Sequence, residues 1–159
     1  MQFLTAAGAI LVALCALEGA RRLNRGIDRN LSGVNAYLSL LHYVRSQIDQ
    51  YALPLGEIFE RCSRELLFAC GWREERAPAD FDELLAVCSI DDSDAERIIF
   101  EFCLGFGQNY REEELRRCDF AIEALGRCHR HLAGEAAKKK KLNITLCTCG
   151  AAALIILLI

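Results

Sequence analysis

Cysteine and histidine are the residues of this sequence best suited to chemistry, and a small group of them lies near its last third. Cys118, Cys128, His129 and His131 combine the thiol and imidazole groups that zinc prefers as ligands. However, the stretch is predicted to be helical, and neighbouring residues of a helix point about 100° apart. Cys128 and His129 therefore cannot both reach one ion without a break in the helix, and no metal or other cofactor is expected.

Sequence motifs for catalysis are also missing. Ser63 and the three histidines show no spacing that suggests a nucleophile with its base. No G-x-x-x-x-G-K-[ST] loop is present to bind nucleotide phosphates, and no G-x-G-x-x-G follows a predicted strand. We therefore expect a protein that is not an enzyme and has no small-molecule substrate. A metal- or thiol-dependent membrane enzyme or sensor is the alternative, and it would use the cysteines and histidines.

The nine cysteines include no Cys-x-x-Cys pair. In a reducing compartment, cysteines among helix-forming residues behave as small apolar side chains. Burial is therefore predicted for Cys62, Cys70, Cys88, Cys103, Cys118 and Cys128.

The strongest charge pattern lies between Glu74 and Glu101, where ten acidic residues face two arginines and the local net charge is −8. Helix N-termini favour carboxylates, which explains part of this cluster. The rest predicts a docking surface for a basic partner, with Asp82, Glu83, Asp91, Asp92 and Asp94 as its candidate residues. Because such a surface repels phosphates, nucleic acid is not expected as a partner.

Helical periodicity runs through the middle of the chain, and no segment shows the pattern of a strand. The first predicted helix has an apolar stripe at Leu31, Val34, Leu38, Leu41, Val44, Ile48 and Tyr51. Pro54 is placed to open a second helix, whose stripe is Leu55, Ile58, Phe59, Cys62 and Leu66 and whose C-cap is Gly71.

Three further helices are indicated by capping signals after the linker at 71–80. Asp80 with Glu83, Ser93 with Glu96, and Asn109 with Glu112 have the spacing of capping boxes. The last of these helices has a stripe at Leu115, Cys118, Ile122, Leu125 and Leu132. The sequence predicts an all-α fold, a small bundle of about five helices.

Both ends of the chain have the pattern of a membrane span. Residues 142–159 contain no charge and follow Lys138, Lys139, Lys140 and Lys141, which are the only lysines. In a helix these eighteen residues reach about 27 Å, close to the thickness of the hydrocarbon core. Residues 1–20 are apolar apart from Glu18 and a few small polar side chains, and Arg21, Arg22 and Arg25 follow them. No Lys or Arg precedes Phe3, so a signal peptide is not favoured.

The positive charges predict the sidedness of both spans. Because basic flanks stay in the cytoplasm, both termini are expected outside and the region between them inside. The predicted segments are a transmembrane helix at 1–20, a cytoplasmic α-helical domain at 21–137, a basic flank at 138–141 and a second transmembrane helix at 142–159.

The order of these parts resembles the stage III sporulation protein AB family of endospore-forming bacteria. The resemblance is carried by GAIL at 8–11, LSLLHYVRSQI at 38–48, LPLGEIF at 53–59, LGFGQ at 104–108 and the final IILLI. Its motif positions are Leu53, Pro54, Leu55, Leu104, Gly105, Gln108 and Glu112, where Gln108 and Glu112 stand in place of the family's usual Asp and Gln.

The resemblance implies a helical domain similar to the cytoplasmic domains of the platform protein of type II secretion and type IV pilus systems. It also implies a membrane platform in the channel between mother cell and forespore. A cytosolic secretion-type ATPase, other membrane subunits of the same complex and the lipid bilayer would be its partners. A generic secretion platform subunit outside sporulation is a further alternative.

Overall fold

A computed structural model of the chain describes residues 2–51, 55–87, 90–107 and 109–158. It does not describe the side chains of residues 2–7, 9, 10, 55, 155, 157 and 158. The described residues form helices and no strand, which confirms the all-α prediction. The helices are α1 (Gln2–Tyr51), α2 (Leu55–Glu60), α3 (Arg64–Ala69), α4 (Phe81–Leu85), α5 (Ser93–Cys103) and α6 (Arg111–Leu158).

The chain forms two compact units, and the helices α1 and α6 contribute to both. Unit 1 consists of Met1–Arg29 and Ala133–Ile159, and unit 2 consists of Asn30–Leu132. Within the described residues, no helix has a stretch that is both long and apolar enough to cross a membrane.

In unit 1, the first part of α1 lies antiparallel to the last part of α6. The Asn143 side-chain amide donates a hydrogen bond to Asn24 Oδ1 at 3.2 Å, and Lys140 forms an ion pair with Asp28. Further along, Val12 and Ala16 line an apolar groove opposite several residues of α6, which are Leu146, Cys147, Gly150, Ala151 and Leu154. The two helices are therefore held together by polar pairs near the basic residues and by small apolar side chains beyond them.

Unit 2 has one apolar core, to which every helix of the unit contributes. The fully buried side chains include Val34, Leu40, Leu41, Val44, Ile58, Phe59, Leu84, Ile99, Cys118 and Leu125. The predicted stripe of α1 is confirmed at Val34, Leu41, Val44 and Ile48. Tyr51 was predicted to be buried but is 60% exposed, because it is the last residue of the helix.

Ion pairs and hydrogen bonds along the edge of this core join α1 to α6. Arg45 pairs with Asp119, which holds the pKa of that carboxyl below its usual value. Arg111 donates from Nε to the carbonyl of Ile48 at 3.1 Å, near the end of α1. Arg111 therefore satisfies a carbonyl in the last turn of α1 that has no partner within the helix itself.

The second predicted helix is in fact two helices, so the prediction of a single one was wrong. Ser63 has an extended backbone (φ −64°, ψ 137°), and its hydroxyl accepts from the N–H of Leu66. It therefore caps α3 and separates it from α2. The apolar stripe continues through the break, since both short helices bury residues against the same core.

Gly71 ends α3 as predicted. Its φ is +103°, and the N–H groups of Gly71 and Trp72 bond to the carbonyls of Phe68 and Leu67. This pattern is a Schellman motif, which favours glycine at the left-handed position. A Cβ atom on Gly71 would lie 2.9 Å from the carbonyl oxygen of Val87, so the end of α3 touches the segment that follows α4.

The predicted capping signals locate the starts of α4, α5 and α6 to within two residues. Asp80 caps α4 as predicted, since its carboxylate accepts from the N–H of Glu83 at 2.9 Å. The cap of α5 is Asp92 and not Ser93, because the Asp92 carboxylate accepts from the N–H of Ala95. Before α6, the capping box predicted that the Glu112 side chain would accept from the N–H of Asn109. Glu114 accepts this hydrogen bond instead, together with one from the N–H of Gly107.

The buried Glu114 holds the turn between α5 and α6. Its Oε1 accepts hydrogen bonds from the N–H groups of Gly107 and Asn109 and from the Asn109 side-chain amide, at 3.1–3.2 Å. The residue is only 4% exposed. These bonds to Oε1 offset part of the cost of burying the carboxylate, whose Oε2 is buried without a hydrogen-bond partner among the described residues.

We predict that Phe59→Ala lowers the free energy of unfolding of unit 2 by about 3–5 kcal/mol, because Phe59 is fully buried and its removal leaves a cavity. The matched control is Phe120→Ala, since Phe120 is 69% exposed and its loss should cost no more than about 0.5 kcal/mol. Urea denaturation of the full chain in detergent, followed by circular dichroism, measures both. Equal losses for the two variants would contradict the described core.

Candidate functional site

Four phenylalanines place α4 against α5. The ring of Phe81 in α4 lies 5.1 Å from Phe59, 5.3 Å from Phe102 and 5.2 Å from Phe106, each in an edge-to-face arrangement. This geometry suits the quadrupoles of aromatic rings. Because α4 has only five residues, its position depends on this contact.

The linker before α4 is braced by a second set of contacts. The buried Trp72 donates from its indole N–H to the carbonyl of Arg76 at 2.7 Å. The Arg76 guanidinium forms ion pairs with Glu83 and with Glu74, and the N–H of Ala79 donates to Glu83 Oε2 at 2.7 Å. Glu83 therefore fixes the linker to the start of α4.

Between α4 and α5 lies an open groove with a volume of about 560 Å³. It is lined by Asp82, Leu85, Ala86, Ser93, Glu96, Arg97 and Phe100. Phe100 is 54% exposed, although the other aromatic side chain of α5, Phe102, is buried in the core. The groove thus has an apolar floor that the fold leaves in contact with solvent.

The charges around this groove are predominantly negative. Its one cation, Arg97, is engaged by Asp94 at 3.5 Å and by Glu101 at 3.3 Å. Among the described residues, neither Asp82 nor Glu96 has an ion-pair partner. A segment with apolar and basic side chains would complement both the floor and these carboxylates.

The structure separates the five predicted docking residues into two groups. Asp82, Asp91 and Asp94 are exposed, and Asp82 lies across the groove from the start of α5. Glu83 and Asp92 instead support the fold, through Arg76 and through the cap of α5 respectively. The local charge count could not distinguish these two roles, since it does not register hydrogen bonds.

The apolar floor of the groove was not predicted from the sequence. Phe100 lies off the buried stripe of α5, which consists of Ala95, Ile99, Phe102 and Cys103. The sequence did contain one signal for this floor, since Phe100 is an aromatic residue on the polar face of an amphipathic helix.

Three of the cysteines that could do chemistry have thiols with raised pKa values. Burial raises the pKa of Cys62 to about 11 and, together with the nearby carboxylates of Glu114 and Asp119, that of Cys118 to about 12. Burial and a hydrogen bond from Sγ to Asp92 raise the pKa of Cys128 to about 11. These three thiols stay protonated at neutral pH, whereas a reactive cysteine needs a thiolate.

The predicted burial of cysteines is confirmed at Cys62, Cys70, Cys103 and Cys118, and Cys128 is partly buried. Cys88 lies outside the described residues. Within the described part of the chain, no three His, Cys, Asp or Glu side chains lie close enough to hold a metal ion.

The Glu83 ion pair should make stability depend on pH. The Arg76 guanidinium holds the pKa of the Glu83 carboxyl below its usual value, and the N–H of Ala79 contributes. Because the pKa is lower in the folded chain, the stabilisation is present at neutral pH and is lost as the pH falls through the folded value. We predict that Glu83→Gln lowers the melting temperature at pH 7 and that its difference from the wild type shrinks below about pH 4.

Thermal unfolding followed by circular dichroism at pH 7 and pH 3 measures this difference. The control is Asp82→Asn, which removes a neighbouring carboxylate that has no ion pair among the described residues. A Glu83→Gln effect of the same size at both pH values would contradict the role of the ion pair.

The positions that carry the family resemblance are only partly described by the structure. Leu53, Pro54 and Gln108 lie outside the described residues, and Leu55 is the first residue of α2. The structure describes three further positions. Leu104 is the exposed C-cap of α5, Gly105 has a left-handed backbone, and Glu112 is exposed in the first turn of α6. Comparison of the chain with family models, with curated proteins and with solved structures finds no match.

Proposed function

We propose that the protein is a membrane-anchored platform that docks a cytosolic secretion-type ATPase at the groove between α4 and α5. The observation that carries docking is the exposed Phe100 on an apolar floor, flanked by the carboxylates of Asp82 and Glu96. The sporulation setting, in the channel between mother cell and forespore, follows from the family resemblance and from nothing else.

The exposed apolar side chains of unit 1 support the membrane anchor. Among the described residues of this unit, the large exposed ones are Leu11, Leu14, Leu17, Leu23, Leu142, Ile144, Leu146, Leu154 and Ile156. Large apolar side chains exposed in this number indicate a contact with lipid or with another protein. Because the flanking residues are basic, lipid is the contact that we propose.

The polar side chains of the C-terminal segment support the same proposal. Thr145 donates to the carbonyl of Lys141 at 2.9 Å, and Thr148 donates to that of Ile144 at 2.8 Å. Asn143 donates to Asn24. Polar groups in a bilayer need partners within the protein, and these side chains have them.

Anchoring and docking together explain why a platform would need no catalysis of its own. A soluble ATPase changes conformation as it hydrolyses nucleotide, and this motion does work on a membrane complex only if the motor is held against a fixed part. The groove would hold the motor, and the helices of unit 1 would fix it to the membrane. Other membrane subunits of the complex are the remaining proposed partners.

We predict that reversing Asp82, Asp94 and Glu96 to Lys weakens ATPase binding at least about tenfold, because like charges at the groove would then face a basic partner. Asp92 is left unchanged, since replacing an N-cap costs about 1 kcal/mol of stability. Co-purification from sporulating cells and titration at physiological salt measure the effect.

The matched control reverses Glu60, Glu65 and Glu123, which are exposed acids of α2, α3 and α6 outside the groove. If neither the groove substitutions nor the control substitutions change the binding constant, this docking surface is rejected. A deletion strain that sporulates normally would contradict the sporulation role.

The proposed topology has its own test. In intact cells, a membrane-impermeant maleimide should label a cysteine added at either terminus, and it should label Glu75→Cys only after permeabilisation. Glu75 suits this purpose because it is exposed in the linker before α4. Labelling of Glu75→Cys in intact cells would place the groove outside the cytoplasm and end the docking proposal.

A further inference from the structure

We propose that the two basic blocks of unit 1 form one binding site for the headgroups of anionic phospholipids. The first block is Arg21, Arg22, Arg25 and Arg29 in α1, and the second is Lys138, Lys139, Lys140 and Lys141 in α6. The inference rests on the membrane anchoring proposed above, and it adds a specific ligand to it.

The fold brings these two blocks side by side. Lys140 pairs with Asp28 although 112 positions separate them in the sequence. The hydrogen bond between Asn24 and Asn143 joins the same helices one turn away, at 3.2 Å. Because the helices run antiparallel, these contacts put Arg25 and Arg29 near the level of the lysines, whereas Arg21 and Arg22 lie opposite residues of α6 that follow the lysines.

The combined site has more positive charge than its own acids can neutralise. Eight cations occur with three acids over residues 18–29 and 135–141, which leaves a net charge of +5. Glu18 is shared by Arg21, Arg22 and Arg25 at 3.6–4.0 Å.

The other two acids of the site are each paired with a single lysine. Asp28 pairs with Lys140, and Glu135 pairs with Lys139 at 3.8 Å. Within the described residues, Arg29, Lys138 and Lys141 have no ion-pair partner. Several cationic groups are therefore available to an anionic ligand.

Exposed apolar side chains adjoin the cations along both helices. On α1, Leu14 and Leu17 precede the arginines and are 59% and 49% exposed. On α6, Leu142 and Ile144 follow the lysines and are 56% and 51% exposed. A phospholipid matches both surfaces, since its phosphate meets the cations and its acyl chains meet the leucines, whereas a free phosphate matches only the cations.

The test uses the full chain in a neutral detergent and native mass spectrometry. The probes are dihexanoyl phosphatidylglycerol, dihexanoyl phosphatidylcholine, glycerol 3-phosphate and inorganic phosphate. We expect the phosphatidylglycerol to be retained at least tenfold better than the phosphatidylcholine and to resist competition by the two soluble phosphates. Competition by inorganic phosphate at equal concentration would identify a simple anion site and overturn the lipid assignment.

Two double variants test whether both blocks are needed. Arg25→Gln with Arg29→Gln removes charge from α1, and Lys138→Gln with Lys141→Gln removes it from α6. Each should reduce the preference for phosphatidylglycerol at least threefold. The control is Arg61→Gln with Arg127→Gln, which removes the same charge from exposed positions of unit 2 and should change nothing.

The outcomes separate this inference from the proposed function. If either block variant keeps the full preference, or if the control loses it equally, the shared site is rejected. If alkaline carbonate releases the wild-type protein from cell membranes, the anchoring fails and the lipid site fails with it. If the protein stays in the membrane fraction but shows no preference for phosphatidylglycerol, only the lipid site fails.

Discussion

The side chain of Phe81 links α4 to α2 and α5. Its ring lies 5.1–5.3 Å from the rings of Phe59, Phe102 and Phe106. A helix of five residues has little stability of its own, so α4 is placed by this contact and by the Asp80 cap. The groove exists because α4 is held beside α5 in this way, and its acidic rim follows from the helix starts that require carboxylates.

Unit 1 depends on a different kind of interaction. Many of its large apolar side chains point outward, so the pairing of its helices is specified by polar contacts, Asn24 with Asn143 and Asp28 with Lys140. A polar pair fixes the register of two helices because any shift leaves both groups without partners. Many large apolar side chains are then left on the exterior of this unit, and Arg25 and Arg29 of α1 come near the level of the lysines of α6.

The sequence predicted what depends on a single helix, and it missed what depends on contacts between helices. Apolar periodicity identified Val34, Leu41 and Val44, since burial along one helix repeats every 3.6 residues. It could not show the break at Ser63, because the stripe passes through it unchanged. The groove around Phe100 required the packing of α4 on α5, and the shared cationic site required the pairing of two segments far apart in the sequence.

The close approach of Gly71 to the carbonyl of Val87 has a consequence for how the molecule tolerates change in length. The chain leaves this point after α3 and comes back to it after α4, so the excursion between them is closed at its base. When the two ends of a loop are held together, each added residue raises the entropic cost of closing the loop only slightly. An insertion in this excursion therefore costs little through loop closure, and its cost depends instead on whether it interrupts the contacts of Trp72 with Arg76 and of Arg76 with Glu83.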